Sequence, residues 1–379
     1  MIPRSFDDID ISDIQRLIDN QVAERRTLEF KRDLPGDTKD ERKEFLADVT
    51  SFANAQGGDI IYGLAEAQGA PSTVHGLDVL DADAELRRIE DRILDGVEPR
   101  LPGLRLKWIT TAVGKRLLLI RIPASTISPH RVIFANSSKF HGRKSNGKYE
   151  MDTQELREAF TATEALPARL RALHLEAVDA ALRDELPAGL GDGPKAIVSV
   201  IPLNYFRDRL DLDITRENAL APFKPGGHME AVEMIEGVLL HTDGGGQGRM
   251  DSYAVTHRRG RTDMVWTIGY IMNPTKGDGR PVVPYPRFKE GLIDGALSPV
   301  SRLQPFSVEG PWVVLTTITG IKDFILLIDN DHYSDPAWRD QATLAEVVSE
   351  RLTHEDLVPV LKSFWRLFGM RPPIALTAT

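Results

Sequence analysis

Two glutamates five residues apart, Glu24 and Glu29, stand in the stretch VAERRTLEFKRDLP, residues 22–35. Lys31 follows two residues later, and Arg25, Arg26 and Arg32 surround the set. Residues 27–31 read as a short β-strand, and residues two apart in a strand share a face, so Glu29 and Lys31 point the same way. Carboxylates here could hold a metal ion while the ammonium meets a phosphate. The other reading is a solvated salt-bridge face, with Glu24 on the surface and Glu29–Lys31 a structural pair. Glu24 and Glu29 cannot share a face of one regular strand, because five is odd. A turn through Arg25 and Arg26, or a helix end at Glu24, must bring them together.

The elements around this stretch follow from periodicity. Ile11, Ile14, Leu17 and Ile18 are spaced as in a helix over 11–20, with Ser12 and Asp13 near its start. A strand over 26–32 follows. Residues 39–56 predict a helix with Phe45, Leu46, Val49, Phe52 and Ala53 on one face, ended by Gly57 and Gly58. The run DIIYGL, 59–64, predicts a buried strand, and 83–97 an amphipathic helix. Strands are expected at 103–111, 115–123 and 131–141, with a turn at Gly114-Lys115. A helix begins at 152–160, where Asp152 and Glu155 fit a capping box, and another covers 165–187. PAGLGDGPK, 187–195, reads as a linker. Beyond it we expect strands at 196–202, 250–257, 263–271, 287–294, 311–318 and 323–329. Helices are expected at 229–240, 338–352 and 354–368, and a loop at TDGGGQG, 242–248.

Composition bounds the function. The chain has 379 residues, enough for two or more domains, with 41% hydrophobic and 27% charged residues, as in soluble globular proteins. No apolar run approaches the roughly 20 residues that span a bilayer, and the N-terminus lacks a signal-peptide core, so no membrane partner and a cytoplasmic location are expected. There are no cysteines, which excludes disulfides, zinc sites of cysteine type and a cysteine nucleophile. Net charge is −9, which alone argues against nucleic acid. Residues 99–149, however, hold eleven basic residues and no Asp or Glu. Such asymmetry is the footprint of a phosphate-binding surface. The other reading is a charge-balanced fold whose acidic helices neutralise these strands.

Four ordered motifs carry a resemblance: ERRTLEFKRDL, FLADVTSFANAQGGDIIYGLAE, GKRLLLIRIPASTISPHRV and FHGRKSNGKYEMDTQEL. Over about residues 10–160 the chain resembles the Schlafen-type AlbA_2 domain, associated with DNA binding. Schlafen-family nucleases cut RNA with three carboxylates. The resemblance implies the first two at Glu24 and Glu29, within a Glu-x4-Glu-Phe-Lys pattern that also holds Phe30 and Lys31. It implies the third at Glu66, where the family commonly has Asp; Asp59 is the local alternative. Three clustered carboxylates repel one another without a cation, so Mg²⁺ or Mn²⁺ is the implied cofactor. The metal would polarise a phosphodiester and lower the pKa of bound water, and Lys31 would stabilise charge on the phosphate. The zinc-binding Cys/His residues of animal members are absent.

In the basic stretch, Arg121, Arg131, Lys139, Arg143, Lys144 and Lys148 are the candidate phosphate contacts. The loop HGRKSNGKY, 141–149, matches G-x-x-x-x-G-K, but Tyr149 stands where a P-loop needs Ser or Thr, so ATP binding finds little support. GGGQG, 244–248, lacks the following Lys. Asn54, Gly57 and Gly58 are assigned to shaping a helix-to-strand turn. His130 is either a nucleic-acid contact or a plain surface residue, and the five tryptophans belong mostly to the core, Trp108 being the one that could stack on a base.

The fold expected is therefore α+β, with a Schlafen/AlbA_2-like domain over 1–165, a linking helix and linker over 166–194, and a mixed α/β domain of unknown role over 195–379. The function expected is a metal-dependent endoribonuclease acting on structured, tRNA-like RNA, with stress or phage defence as its setting by analogy. The alternative is a non-catalytic DNA- or RNA-binding regulator or sensor. A homo-oligomer is expected.

Overall fold

Residues 117–122, LLLIRI, place apolar side chains on both sides of a strand, so this strand must be covered on both faces. The computed structural model shows how. It describes all residues except 3, 68, 145–146, 184–188, 204, 207–209, 224–227, 243–248, 273–278, 307, 329–331 and 374–379. The chain divides into two compact units, 1–166 and 167–379.

The first unit runs α1 (Ile11–Asp19), β1 (Leu28–Lys31), α2 (Lys39–Ala53), β2 (Gly58–Tyr62), β3 (Leu64–Ala67), β4 (Ala70–Val74), α3 (Ala82–Gly96), β5 (Val97–Glu98), β6 (Arg105–Thr110), β7 (Arg116–Ile122), β8 (Arg131–Val132), β9 (Lys139–Lys144) and β10 (Gly147–Glu150). Helix α4 (Thr153–Arg183) starts in this unit. The central sheet has the order β1-β2-β7-β6, with β1 and β2 parallel and the other pairs antiparallel. Its strands alternate between two cores, as period 2 requires. Ile60, Tyr62, Leu118, Ile120 and Ile122 pack with Phe45, Val49 and Phe52 of α2 and Ile89 and Ile93 of α3. Leu28, Phe30, Ile61, Leu117 and Leu119 pack with Ile14 and Leu17 of α1. A second antiparallel sheet has the order β10-β9-β8-β5, and β3 pairs with β4 as a hairpin.

Several local devices behave as expected. Asp152 and Glu155 form their reciprocal capping bonds, at 2.8 and 3.1 Å. Asn54 closes the end of α2: its Nδ2 donates to the carbonyls of His130 and His141, and its Oδ1 accepts from the His130 amide. The helices expected at 152–160 and 165–187 are one; Pro167 removes one intrahelical donor without ending α4.

The second unit contains β11 (Gly189–Leu190), β12 (Lys195–Pro202), β13 (Met229–Glu233), β14 (Gly237–Thr242), β15 (Arg249–Met250), β16 (Ser252–His257), β17 (Thr262–Thr267), β18 (Tyr270–Met272), β19 (Arg280–Pro284), α5 (Tyr285–Leu303), β20 (Trp312–Thr319), β21 (Ile325–Leu327), β22 (Tyr333–Pro336), β23 (Ala342–Thr343), β24 (Val347–Ser349) and α6 (Val358–Leu367). Its main sheet is ordered β13-β14-β16-β17-β12-β20-β23, with β24 also on β20, and is antiparallel throughout.

Three expectations are corrected in this unit. Residues 229–240 form a strand pair, β13 and β14, and not a helix. Val238 and Leu240 join one core and Leu239 the other, so a strand buried on both faces imitates a helical run. Residues 287–294 lie in helix α5, and not in a strand. Its Gly291 and Gly295 read as helix breakers, yet they let the helix sit close on Trp266 and Met264, where an added Cβ would meet atoms at 2.4 and 2.5 Å. Residues 338–352 supply short strands β23 and β24 at the side of β20, and not a helix. The loop expected at 242–248 lies almost wholly outside the described residues. No helix among the described residues is long and apolar enough to cross a membrane.

Gly57 sits at φ +70°, and a Cβ there would stand 2.6 Å from the Ala124 amide nitrogen and the Ile122 carbonyl oxygen. Gly57→Ala should lower stability by at least ~1 kcal/mol, because both conformation and space forbid the methyl. The midpoint of urea unfolding checks this; an unchanged midpoint refutes it.

Candidate functional site

Strand β1 lies at the edge of the central sheet, and its pleat decides where the charges go. Leu28 and Phe30 enter the α1 core, so Glu29 and Lys31 face the opposite side, toward α2. Glu24 reaches the same strand by a turn: the Arg25 and Leu28 backbones bond to each other at 3.0 Å, and the chain folds back over Arg26 and Thr27. Glu24 Oε1 then accepts from the Phe30 amide at 2.7 Å, capping a donor that an edge strand would leave open.

Glu29 is 6% exposed and held from two sides. Lys31 Nζ lies 2.5 Å from Oε1, and Arg143 Nη2 from β9 lies 2.5 Å from Oε2. Burial opposes the charge of Glu29, but Lys31 and Arg143 overcome it and hold the carboxyl below the ordinary glutamate range. Arg143 is itself buried, its guanidinium 3.9 Å above the Phe52 ring. Burial works against the Lys31 ammonium, and Asp48, Glu29 and Glu24 more than offset it, so its pKa lies above the usual lysine value.

The group that sequence reasoning missed is Asp48, on α2. It is 3% exposed. Lys148 of β10 reaches its Oδ1 at 2.6 Å, and Lys31 stands 3.9 Å from Oδ2. Burial and the charge of Glu29 push its carboxyl up to about 6, against the pull of Lys148 and Lys31. Lys148 also pairs with Glu44. A signal was present: Asp48 falls between Phe45 and Phe52 at spacings of three and four, which puts a carboxylate on the apolar side of the helix. Tyr62 faces the same acids, its phenol pushed up by burial and then by Asp48 and Glu29.

Glu24 is half-buried, and its carboxyl is raised by burial first and then by Glu29 and Glu66. Glu29 and Glu66 therefore each lie within electrostatic reach of Glu24. Glu66 itself is exposed on β3. The residues do not fit a resident Mg²⁺ or Mn²⁺ as they stand. Both oxygens of Glu29 already meet a cation, and no group of three His, Asp or Glu among the described residues could hold a metal. Asp59, the alternative third acid, is buried against Arg121 and the Ile2 amide and belongs to the core.

The basic stretch is largely neutralised. Eight of its eleven cations meet carboxylates from elsewhere in the chain: Arg105–Asp7, Lys115–Asp78, Arg121–Asp59, Arg131–Glu98, Lys139–Glu150, Arg143–Glu29, Lys144–Glu155 and Lys148–Asp48. The charge-balanced reading of 99–149 thus describes most of this surface. Arg121 must be withdrawn as a phosphate contact: it is 2% exposed and its guanidinium bonds Asp59 at 2.8 and 3.0 Å. His130 is likewise no surface residue, being fully buried between the Pro99 carbonyl and Ser125. Trp108 donates to the Ala82 carbonyl and packs against the core. Lys139, Lys144 and Arg131 remain exposed enough to meet a ligand. Arg25, Arg26 and Arg32 are exposed and pair with no carboxylate among the described residues. The charge of Arg26 reaches Tyr149 on β10, whose ring Lys144 covers at 4.1 Å.

Residues 24–152 match the family model described as Schlafen, AlbA_2. Among solved structures the chain is similar to the DIP2311 protein of Corynebacterium diphtheriae, at 16% identity over 39% of this chain and 31% of that one, with TM-score 0.27. It is also similar to the N-terminal domain of a protein from Nitrosomonas europaea described as related to the ATP-dependent DNA helicase RecG. That match has 23% identity over 34% of this chain and 86% of the other, with TM-score 0.27. The chain thus spans under a third, 31%, of the length of the first of these. No curated protein matches it.

The Asp48 environment gives a pH test. Its folded-state value of about 6 lies above that of an unfolded aspartate, so its contribution to stability is present at low pH and is lost as pH rises through about 6. The groups that set it are Glu29 and Lys31 on β1 and Lys148 on β10; Glu44, on its own helix, shares Lys148. From pH 4 to 7 the wild type should lose stability relative to Asp48→Asn, measured by urea unfolding at each pH. A difference that stays constant across this range would show that Asp48 titrates as an ordinary aspartate.

Proposed function

We propose, from the Schlafen/AlbA_2 domain that residues 24–152 constitute, that this chain binds nucleic acid through its phosphates, with RNA as the expected ligand and DNA as the alternative. The family is associated with nucleic-acid binding. One observation in the molecule carries the reading. Once the ion pairs of the first unit are counted, Arg25, Arg26 and Arg32 still lack an acid, and they flank the strand that holds Glu29 and Lys31. Lys144, at 64% side-chain exposure, extends this surface from the hairpin. Exposed guanidinium groups without carboxylate partners are what a polyanion displaces counterions to reach, and Lys144, loosely held to Glu155 at 3.8 Å, can join them. The basic run 99–149 contributes less than its composition suggests, because its charges are mostly spent within the fold.

A second reading, metal-dependent cleavage of structured RNA at Glu24, Glu29 and Glu66 with Lys31, has a specific observation in its favour. Glu24 is driven toward its protonated form by burial and by the other two glutamates, a strain that a cation would relieve. Against it stands the double ion pairing of Glu29. No step is assigned to a metal on this geometry.

Two outcomes test these readings. Replacing Arg25, Arg26 and Arg32 together by Ala should flatten the log–log dependence of RNA affinity on salt by about 2 for a single strand, and weaken binding at every sequence tried. An unchanged slope would remove these arginines from the interface. For the second reading, the wild type should be incubated with tRNA, single-stranded RNA and duplex DNA in Mn²⁺, Mg²⁺ or EDTA, beside Glu29→Gln. Cleavage that needs the metal and is lost in Glu29→Gln would establish the nuclease; binding without cleavage leaves the chain a nucleic-acid-binding protein.

A further inference from the structure

We infer that Glu29 and Asp48 are positioning residues that anchor the β9–β10 hairpin, and that cations of the protein itself hold the places at these carboxylates that a divalent ion would require. The inference draws on the nucleic-acid reading for its consequence, the orientation of a phosphate-binding hairpin, while the anchoring is a property of the free protein.

Two ion pairs tie the hairpin to the rest of the unit. Arg143 meets Glu29 on β1, and Lys148 meets Asp48 on α2. Arg143 and Lys148 stand opposite each other in the β9–β10 ladder, so the two anchors grip one rung from both strands. Lys31 lies between the two acids, at 2.5 Å from Glu29 and 3.9 Å from Asp48. The order of charges is Arg143, Glu29, Lys31, Asp48, Lys148, in strict alternation. Two buried negative charges thus alternate with three positive ones, with half-buried Glu24 near Lys31 and exposed Glu44 on Lys148 at the margins. A divalent cation added among them would meet three like charges in a poorly screened place. To make room, Arg143 would have to leave both its carboxylate and the Phe52 ring, taking the hairpin with it. Mg²⁺ demands near-octahedral oxygen coordination, and both oxygens of Glu29 and Oδ1 of Asp48 already accept from nitrogen donors.

The consequence reaches the surface. Lys144, one residue beyond Arg143, is exposed and lies over the ring of Tyr149, whose phenol feels the charge of Arg26. A hairpin pinned at Arg143 and Lys148 holds Lys144 over Tyr149, the phenol that the charge of Arg26 reaches. Glu29 and Asp48 then serve phosphate binding without touching the phosphate, and binding needs no divalent metal.

The test uses the full chain and has two readouts. First, wild type is titrated with Mn²⁺ and followed by electron paramagnetic resonance. No stoichiometric site is expected; a stoichiometric site that disappears in Glu29→Gln overturns the inference. Second, hydrogen exchange is measured at the amides of β9 and β10. Glu29→Gln leaves Arg143 buried without its acid and should speed this exchange on the order of 100-fold. The double variant Glu29→Gln/Arg143→Met removes both charges and should bring exchange back near the wild-type rate, a coupling that a metal ligand would not show. A double variant no slower than Glu29→Gln overturns the anchoring. Should Glu29→Gln not fold, the wild-type titration decides alone: stoichiometric manganese overturns the inference, and its absence up to millimolar concentration supports it. Failure of the wild type to bind any nucleic acid would remove the proposed function while leaving both readouts in force.

Discussion

The carboxylate of Glu29, shared between Lys31 and Arg143 in a place water barely reaches, is the interaction on which the first unit turns. A buried carboxylate is costly unless each oxygen has a partner. Here the partners come from its own strand and from a strand more than a hundred residues later. That long link is why the β9–β10 hairpin belongs to the same body as β1. Without it Arg143 would be a buried guanidinium with only an aromatic ring beside it.

What makes the arrangement possible is the pleat of a four-residue edge strand. Leu28 and Phe30 are drawn into one core, which leaves Glu29 and Lys31 no choice but the other face. On that face α2 supplies both the apolar floor, through Phe52, and the second acid, Asp48. The edge position also explains Glu24. An edge strand has unpaired amides, and Glu24 satisfies one of them at Phe30 while its charge stays near Glu29. Site and fold therefore use neighbouring groups: Glu24 closes the sheet edge and Glu29 and Asp48 fasten the hairpin, while the exposed arginines of the same segment are the ones that could meet a phosphate.

The legible part of this in the sequence was the part governed by short-range periodicity. The shared face of Glu29 and Lys31, the apolar face of α2, the glycine that ends it and the capping box at Asp152 all follow from spacings of two to four residues. That Glu24 must return was legible too, because an odd spacing demanded either a turn through Arg25 and Arg26 or a helix end; the turn falls one residue on, over Arg26 and Thr27. Asp48 was overlooked although its position among Phe45, Val49 and Phe52 marked it as an acid on an apolar face. Its partner lies a hundred residues away, and pattern alone does not pair residues at that distance. In the second unit the errors have separate sources. Within 229–240 the strand β14, buried on both faces, lost its alternation, and at 287–294 a glycine of α5 concealed a helix whose close packing needs it.

Local charge density is a poor guide to an electrostatic surface until the fold has paired its ions. Residues 99–149 carry no acid of their own, and the asymmetry is real as a statement about the chain. In space the acids arrive from Asp7, Glu29, Asp48, Asp59, Asp78 and Glu98 on one side and from Glu150 and Glu155 on the other. A paired, buried cation such as Arg121 contributes little to the potential that an approaching phosphate feels, since its field is cancelled at close range by Asp59. The cations that count are those left over, and these include three arginines within eight residues of the β1 segment, where the linear sequence showed no great excess. A net charge of −9 is compatible with a polyanion ligand on the same grounds. At physiological salt the field is screened beyond about 8 Å, so a ligand responds to the unpaired groups within its contact distance and hardly at all to the sum over the chain.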